Sequence, residues 1–460
     1  MNMGSAYRRH NSYSCNPISQ LSALVIALGI LAVPAAAAAQ QYSQLGSDIL
    51  GDSGSDFLGS AVSISGNGNV IAVGAIQVHE PNLGYCPWSG YTRIFKLEGD
   101  SRQQMGQTLR GTSDCEEFGR YVSLSHDGKV VAISNIESTT VYDYNGNLDV
   151  WSIRGAPILS RPHLLGGPKL SLSSDGNTLA ISSFSGEGFG DPGFVRIFAW
   201  GGSQWDQQGQ TIEVESSGVD RVGNRDLYSI SLSGNGKTVA LGAAQWGEQD
   251  FHNGRARVYQ FNGATWQPLG DPITGVSGDE TGTSVSLSHD GTIIAVGAHQ
   301  DDYFSTGPGA VRVYQYNGSI WKQLGADVTG TAILDHASTA ALSADGLTLI
   351  VGAPQTRRIE DRYGYASIYR FDDSTWQLRV LIPAKSNGDN YAFGSGVAIS
   401  GDGRTAAVAD ANYFNYSTAE PSEYPSYSKG QVKVFRERDS LPPGILWFIT
   451  RGAQVEEDSP

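Results

Sequence analysis

A chain of 460 residues is longer than one simple core usually holds, so it must either divide into domains or repeat a unit. Its formal net charge of −15 and pI near 4.9, with no clustered Lys/Arg stripe, argue against a nucleic-acid partner. Gly supplies 58 residues and charged side chains only 17%, a composition of many turns and little amphipathic helix.

Residues 1–39 have the three parts of an export signal. Arg8, Arg9 and His10 make a basic start, "LSALVIALGILAVPA" from Leu21 is an apolar core, and Ala35 to Ala39 offer small residues for cleavage before Gln40. The core is about 15 residues and contains Pro34, short of the roughly 20 that span a bilayer. An uncleaved anchor is the alternative reading. No later stretch is long enough to span, "GILWFIT" from Gly444 included. The expectation is a secreted or cell-surface protein with no membrane span in its mature chain.

After Gln40 comes "YSQLG" at Tyr42, and then one hairpin seven times over. The copies are "AVSISGNGNVIAVGA" from Ala61, "YVSLSHDGKVVAISN" from Tyr121, "KLSLSSDGNTLAISS" from Lys169 and "SISLSGNGKTVALGA" from Ser229. They continue with "SVSLSHDGTIIAVGA" from Ser284, "TAALSADGLTLIVGA" from Thr339 and "GVAISGDGRTAAVAD" from Gly396. Repetition of this kind sets the architecture before any motif is read. In the clearest unit, Thr281 to Leu324, Asp290-Gly291 turns "TSVSLS" into "TIIAVGA". The loop "HQDDYFSTGPG" leads to "AVRVYQY", and Asn317-Gly318 turns that into a fourth strand around "SIWKQLG". Asp-Gly and Asn-Gly suit two-residue hairpins, whose central positions both need positive φ.

Each unit is thus a four-stranded antiparallel meander of about 55 residues, apolar on both faces. Such sheets bury themselves by stacking radially, which predicts an all-β, seven-bladed propeller over residues 40–440 with a tail at 441–460. Small Ser, Ala and Gly in the first strands suit the crowded axis. Trp151, Trp205, Trp266, Trp321 and Trp376 in the fourth strands fill the widening wedge, as packing rather than as ligand platforms. No fourth strand clearly follows "QVKVFRE" from Gln431, so the strand near Tyr42 is expected to complete the blade begun near Gly396. That arrangement removes two open edges. "ILWFITR" from Ile445 is the competing closer.

"FG" at Phe118-Gly119 and Phe393-Gly394, "VGAP" from Val351 and "GAVRVYQ" from Gly309 resemble the FG-GAP repeat, over nearly all of the mature chain. The resemblance implies an extracellular propeller used for binding, like the head of integrin alpha chains. One departure matters. Calcium-binding FG-GAP blades carry a loop like D-x-D-x-D-G between their first two strands, and calcium wants about six to eight oxygens. Here those turns read "SHDG", "SADG", "SGDG" or "SGNG", so Asp290 and Asp402 are read as hairpin residues and no metal or cofactor is expected.

Catalytic motifs are missing: there is no H-E-x-x-H and no G-x-S-x-G. "GNGKT" from Gly234 imitates a P-loop but precedes a strand, and His126 and His289 share one turn position of the repeat. Function therefore falls to the long loops between second and third strands and between blades, which share one face. The contact candidates there are Trp88, Trp246, Tyr303 and Phe304, suited to an extracellular protein or glycan. The expected function is recognition, including adhesion. The alternatives are a glycan-active hydrolase whose carboxylates converge from several blades, or a structural wall or matrix component. Asn317 and Asn415 head glycosylation sequons.

Cys15 leaves with the signal, so an exported chain retains Cys86 and Cys115, and an even pair suggests one disulfide. Cys86 lies between the second and third strands of the first blade, Cys115 between that blade and the next, and both loops emerge on the same face. A bridge would close a loop of about 30 residues, worth roughly 3–4 kcal/mol in the chain-entropy model. Peptide mapping of the secreted protein without reductant should recover Cys86 joined to Cys115. Two free thiols would rule the bridge out.

Overall fold

The computed structural model of the chain describes residues 42–53, 56–77, 89–160, 168–184, 193–214, 229–244, 253–302, 305–355, 363–384, 392–411 and 429–438. Every regular element among them is a β-strand, and the strands form seven antiparallel blades in a closed wheel. The fifth blade is typical. Its first strand Thr281–Leu287 pairs with Ile293–Ala298, that with Ala310–Tyr316, and the last with Trp321–Gln323. Second strands such as Ile293–Ala298 and Thr348–Ala353 are buried along their whole length, because each blade is covered on both faces by its neighbours. Closure is as expected from the sequence: Tyr42–Gln44 pairs with Gln431–Glu437, placing Tyr42 opposite Glu437. The competing segment from Ile445 lies outside the described residues.

The first hairpins turn through Ser-x-Asp/Asn-Gly, and the serine organises the turn. Its hydroxyl donates to the Asp or Asn Oδ1 at 2.5–2.8 Å and accepts the amide five residues on at 2.9–3.0 Å, in all seven blades. Only the glycine is left-handed, with φ of 69–75° from Gly68 to Gly403. The two-residue turn expected from the sequence is therefore corrected to a four-residue loop such as His126–Lys129. The Ser–Asp clasp keeps the Asp at negative φ, and the glycine alone takes the strained position.

These turns meet at the axis and bond to one another through their backbones. Asn67 N donates to His126 O (2.9 Å), His126 N to Ser174 O (2.7 Å), Ser174 N to Gly234 O (2.9 Å) and Asn235 N to His289 O (3.0 Å). His289 N donates to Ala344 O, Ala344 N to Gly401 O and Gly401 N to Gly66 O, each at 2.8 Å, which closes the ring. A second tier lies just inside it. Ser63, Ser123, Ser171, Ser231 and Ser286 accept the amides of Leu124, Leu172, Leu232, Leu287 and Leu342 on the next blade at 2.9–3.1 Å. First-strand serines thus bridge blades as well as fit a narrow space. Ala341 and Ala398 hold the remaining two positions.

At the circumference the fourth strand is broken in two, which the sequence reading did not anticipate. In the fifth blade Trp321–Gln323 and Val328–Thr329 both pair with Ala310–Tyr316, with Leu324-Gly325 bulging between them. The bulge glycine, at φ 76°, makes room for the next blade's tryptophan: a Cβ there would lie 2.9 Å from Trp376 Cδ1. Each indole N–H then donates to the carbonyl just before that glycine, Trp151 to Met105, Trp205 to Arg154, Trp266 to Gln208, Trp321 to Leu269 and Trp376 to Leu324, at 2.7–3.0 Å. Every one of these tryptophans also lies tilted on an aromatic of its own third strand, with ring centroids 5.1–5.3 Å apart. The five tryptophans are packing, as read from the sequence. Only the sixth blade keeps an unbroken outer strand, Trp376–Pro383, because it lacks the glycine.

Trp266 is the most enclosed of the five, at 1% exposure, and its backbone is bracketed by the Gln210 carboxamide at 2.7 and 2.9 Å. Trp266→Ala should cost about 3–5 kcal/mol, read from urea unfolding against the native chain. A loss below about 1 kcal/mol would show that the seam between the third and fourth blades repacks around the gap.

Candidate functional site

Two faces result. The inner turns and the third-to-fourth hairpins share one, and the long loops share the other. On the turn face, Asp290 has its Oδ1 committed to Ser288 Oγ (2.7 Å) and Thr292 N (3.0 Å). Burial works to raise its carboxyl pKa, but those hydrogen bonds outweigh it and hold the group below the usual range. Asp402 makes the same clasp with Ser400 and Arg404 N. His126 and His289 are exposed on the second and fifth blades and are not brought together; His289 Nδ1 lies 3.2 Å from Ser174 Oγ. Asn317 is exposed on this face, its Oδ1 accepting the amides of Ser319 and Ile320 at 3.0 Å.

On the loop face the structure shows a device that sequence reasoning missed. In four blades an acid just ahead of the first strand anchors its own loop, the end of the second strand and usually the third strand. Asp335 accepts from Thr331 N (2.8 Å), Thr331 Oγ1 (2.7 Å), Ala332 N (2.9 Å), Gln355 Nε2 (2.6 Å) and Tyr365 OH (2.8 Å). Asp56 repeats this with Asp52 N, Ser53, Gln77 and Tyr91 OH (2.7 Å). Glu116 takes Thr112 N, Ser113 N and Asn135, and Asp279 takes Thr281, Gln300 and the Arg312 guanidinium. Asp56, Asp279 and Asp335 are buried. A faint signal exists in "GDSGSD", "GTSDCE" and "GTAILD", where a glycine precedes the acid by five residues, but "GVSGD" breaks the spacing.

Chemically these acids are locks. Burial alone would raise the Asp335 and Asp56 carboxyl pKa values, yet the converging donors win and both lie below the ordinary range. Tyr365 is pushed up to about 12, first by its own burial and also by its bond to Asp335. A carboxylate saturated with donors and ionised at neutral pH is unsuited to general-acid work. Among the described residues no group of three or more His, Cys, Asp and Glu could hold a metal ion.

Trp88, Trp246, Tyr303, Phe304, Asn415 and Cys86 lie outside the described residues. Cys115 is exposed, at φ 59°. The roots of its loop and of the loop holding Cys86 touch, through Phe118 N donating to Ser89 O at 2.8 Å. Val276 and Ile333, which the sequence reading passed over, are 71% and 58% exposed on the loops entering the fifth and sixth blades. They are single exposed apolar side chains on the loops of two neighbouring blades.

The carboxylate locks have a pH signature. Asp335 has a folded pKa below its unfolded value of about 3.9, so its contribution is complete above that value and is lost as pH falls through the folded one. Asp335→Asn should lower stability by about 1–3 kcal/mol at pH 7, and the gap from the native chain should narrow below about pH 4. Urea melts at pH 7, 4 and 3 test this, and a gap independent of pH would contradict it.

No protein-family model and no curated protein sequence matches the chain. Solved structures do. The chain is similar to the RRP9 WD40 repeats, at 9% identity over 86% of this chain and 98% of that one, with a TM-score of 0.52. It is similar to U3-55K at 9% identity over the same shares, with a TM-score of 0.51. A structure described as Chaetomium thermophilum Sqt1 bound to the N-terminus of the ribosomal protein L10 is 13% identical over 80% of this chain and 84% of that one, with a TM-score of 0.48. Among the described residues no helix is long and apolar enough to cross a membrane. The fold these comparisons share with the chain is the β-propeller.

Proposed function

We propose that the chain is an exported recognition module of FG-GAP type, which binds a protein or glycan partner on its long-loop face. The observation that carries this reading is the set of carboxylate locks at Asp56, Glu116, Asp279 and Asp335, the three aspartates being buried. They spend polar groups on fixing the roots of the longest loops, which is what a preorganised contact surface needs. The export signal, the FG-GAP resemblance and the absence of catalytic motifs support it from the sequence side. The exposed Val276 and Ile333 offer an apolar centre for a partner. The hydrolase alternative receives no support from the four locked acids, whose lone pairs are already occupied.

Screening the mature chain on glycan arrays and against extracellular protein arrays should yield a saturable ligand. Val276→Asp with Ile333→Asp should weaken its binding at least about tenfold, whereas Asn317→Gln on the opposite face should leave it unchanged. Binding that follows the turn-face variant, or turnover of polysaccharide without saturable binding, would overturn the reading.

A further inference from the structure

We infer that the wheel opens at one place, the seam between its sixth and seventh blades, with the seventh and first blades moving as one piece. The seams differ in how many directional ties they carry. The five from the first blade to the sixth have an inner-turn backbone bond, a serine bridge and an indole bond. The seventh-to-first seam lacks the last two but has substitutes. Arg102, standing where other blades place tryptophan, donates to Ser47 O and to Asp48 O (2.8 Å), both on the N-terminal segment that completes the seventh blade. Arg436 donates to Gly68 O (2.7 Å), and Leu58 N to Lys429 O (3.1 Å).

The sixth-to-seventh seam has neither set. Ala341 offers no hydroxyl to Ile399 N. Tyr42 takes the tryptophan position, but its hydroxyl turns back to Gly403 O (2.6 Å) within its own blade. The outer strand it would face, Trp376–Pro383, runs on through a one-residue register shift at Arg379 and lacks the bulge glycine whose preceding carbonyl takes an indole elsewhere. At the axis the ring bond from Ala344 N to Gly401 O crosses this seam. Beside it lies apolar contact of Ile350, Ile368 and Ile382 with Phe393, Ile399 and Val408. Such contact is favourable but non-directional, and it does not fix one blade's position on the next as a hydrogen bond does. The ring bond at the axis is then the pivot, and the circumference is the side that parts. Local openings of this kind occur at free energies below global unfolding.

The test is native-state alkylation of buried cysteines by iodoacetamide, read peptide by peptide in the full chain. Ala366→Cys and Ala406→Cys report on the sixth-to-seventh seam, Ala407→Cys on the seventh-to-first, and Ala295→Cys on the fifth-to-sixth; all four alanines are 0% exposed. Reaction should be about tenfold faster or more at positions 366 and 406 than at 407 and 295, because only the first pair is uncovered by the local opening. Adding Ala341→Ser supplies the missing acceptor for Ile399 N and should slow positions 366 and 406 about fivefold, the effect of one ordinary hydrogen bond, leaving 295 unchanged. Equal rates at all four positions, which simple loss of global stability would also produce, overturn the inference. So does an Ala341→Ser background that changes nothing.

Discussion

The backbone hydrogen bond that each inner turn gives to the next is the constraint on which the wheel depends. Seven such bonds form a closed circuit, and a circuit tolerates no member of a different length or shape. This accounts for the uneven freedom of the sequence. Ser-x-Asp/Asn-Gly appears in all seven copies, because the serine clasp and the left-handed glycine together set where the turn's amide and carbonyl point. Only the second residue of the turn varies widely, being Gly, His, Ser or Ala, since its side chain takes no part in the circuit. The outer strands and the loops of the far face lie away from that circuit and differ from blade to blade.

A second consequence concerns where polar groups go in a protein so rich in serine. The first strands approach the axis with one edge unpaired, and an edge of free amides is a cost unless something accepts from them. Five serines meet that need by reaching across to the neighbouring blade. At the circumference the tryptophans do the same for carbonyls, so that the apolar wedge and the polar tie are made by one side chain. Inner and outer ties therefore come from the same repeat positions, and where the repeat drifts, both are lost together.

The fold was legible because its signals are local and repeated. Turn glycines, alternating first strands and the missing fourth strand of the last unit were enough to count blades and to assign the closing strand to Tyr42. What was not legible depends on groups distant in sequence or on geometry without a composition signal. Nothing in "SIWKQLG" announces that Gly325 exists to admit Trp376, a residue of the following blade. Nor could Asp335 be picked out from other acids, because its partners at Thr331, Gln355 and Tyr365 lie up to 30 residues away. The proposed contact surface was readable only as an address: long loops on one face. The apolar side chains that the structure exposes there, Val276 and Ile333, sit in short connecting segments that composition gave no reason to favour.

The pairing of Tyr42 with Glu437 has a bearing on how such a molecule is made. The strand at Tyr42 is made long before the strand it joins, and Tyr42 OH meets Gly403 O across 361 positions of chain. Six blades can collapse while synthesis proceeds, each nucleated by its own short-range hairpins. The seventh must wait for the whole chain, and until then its exposed strands are the place where a stray edge would pair.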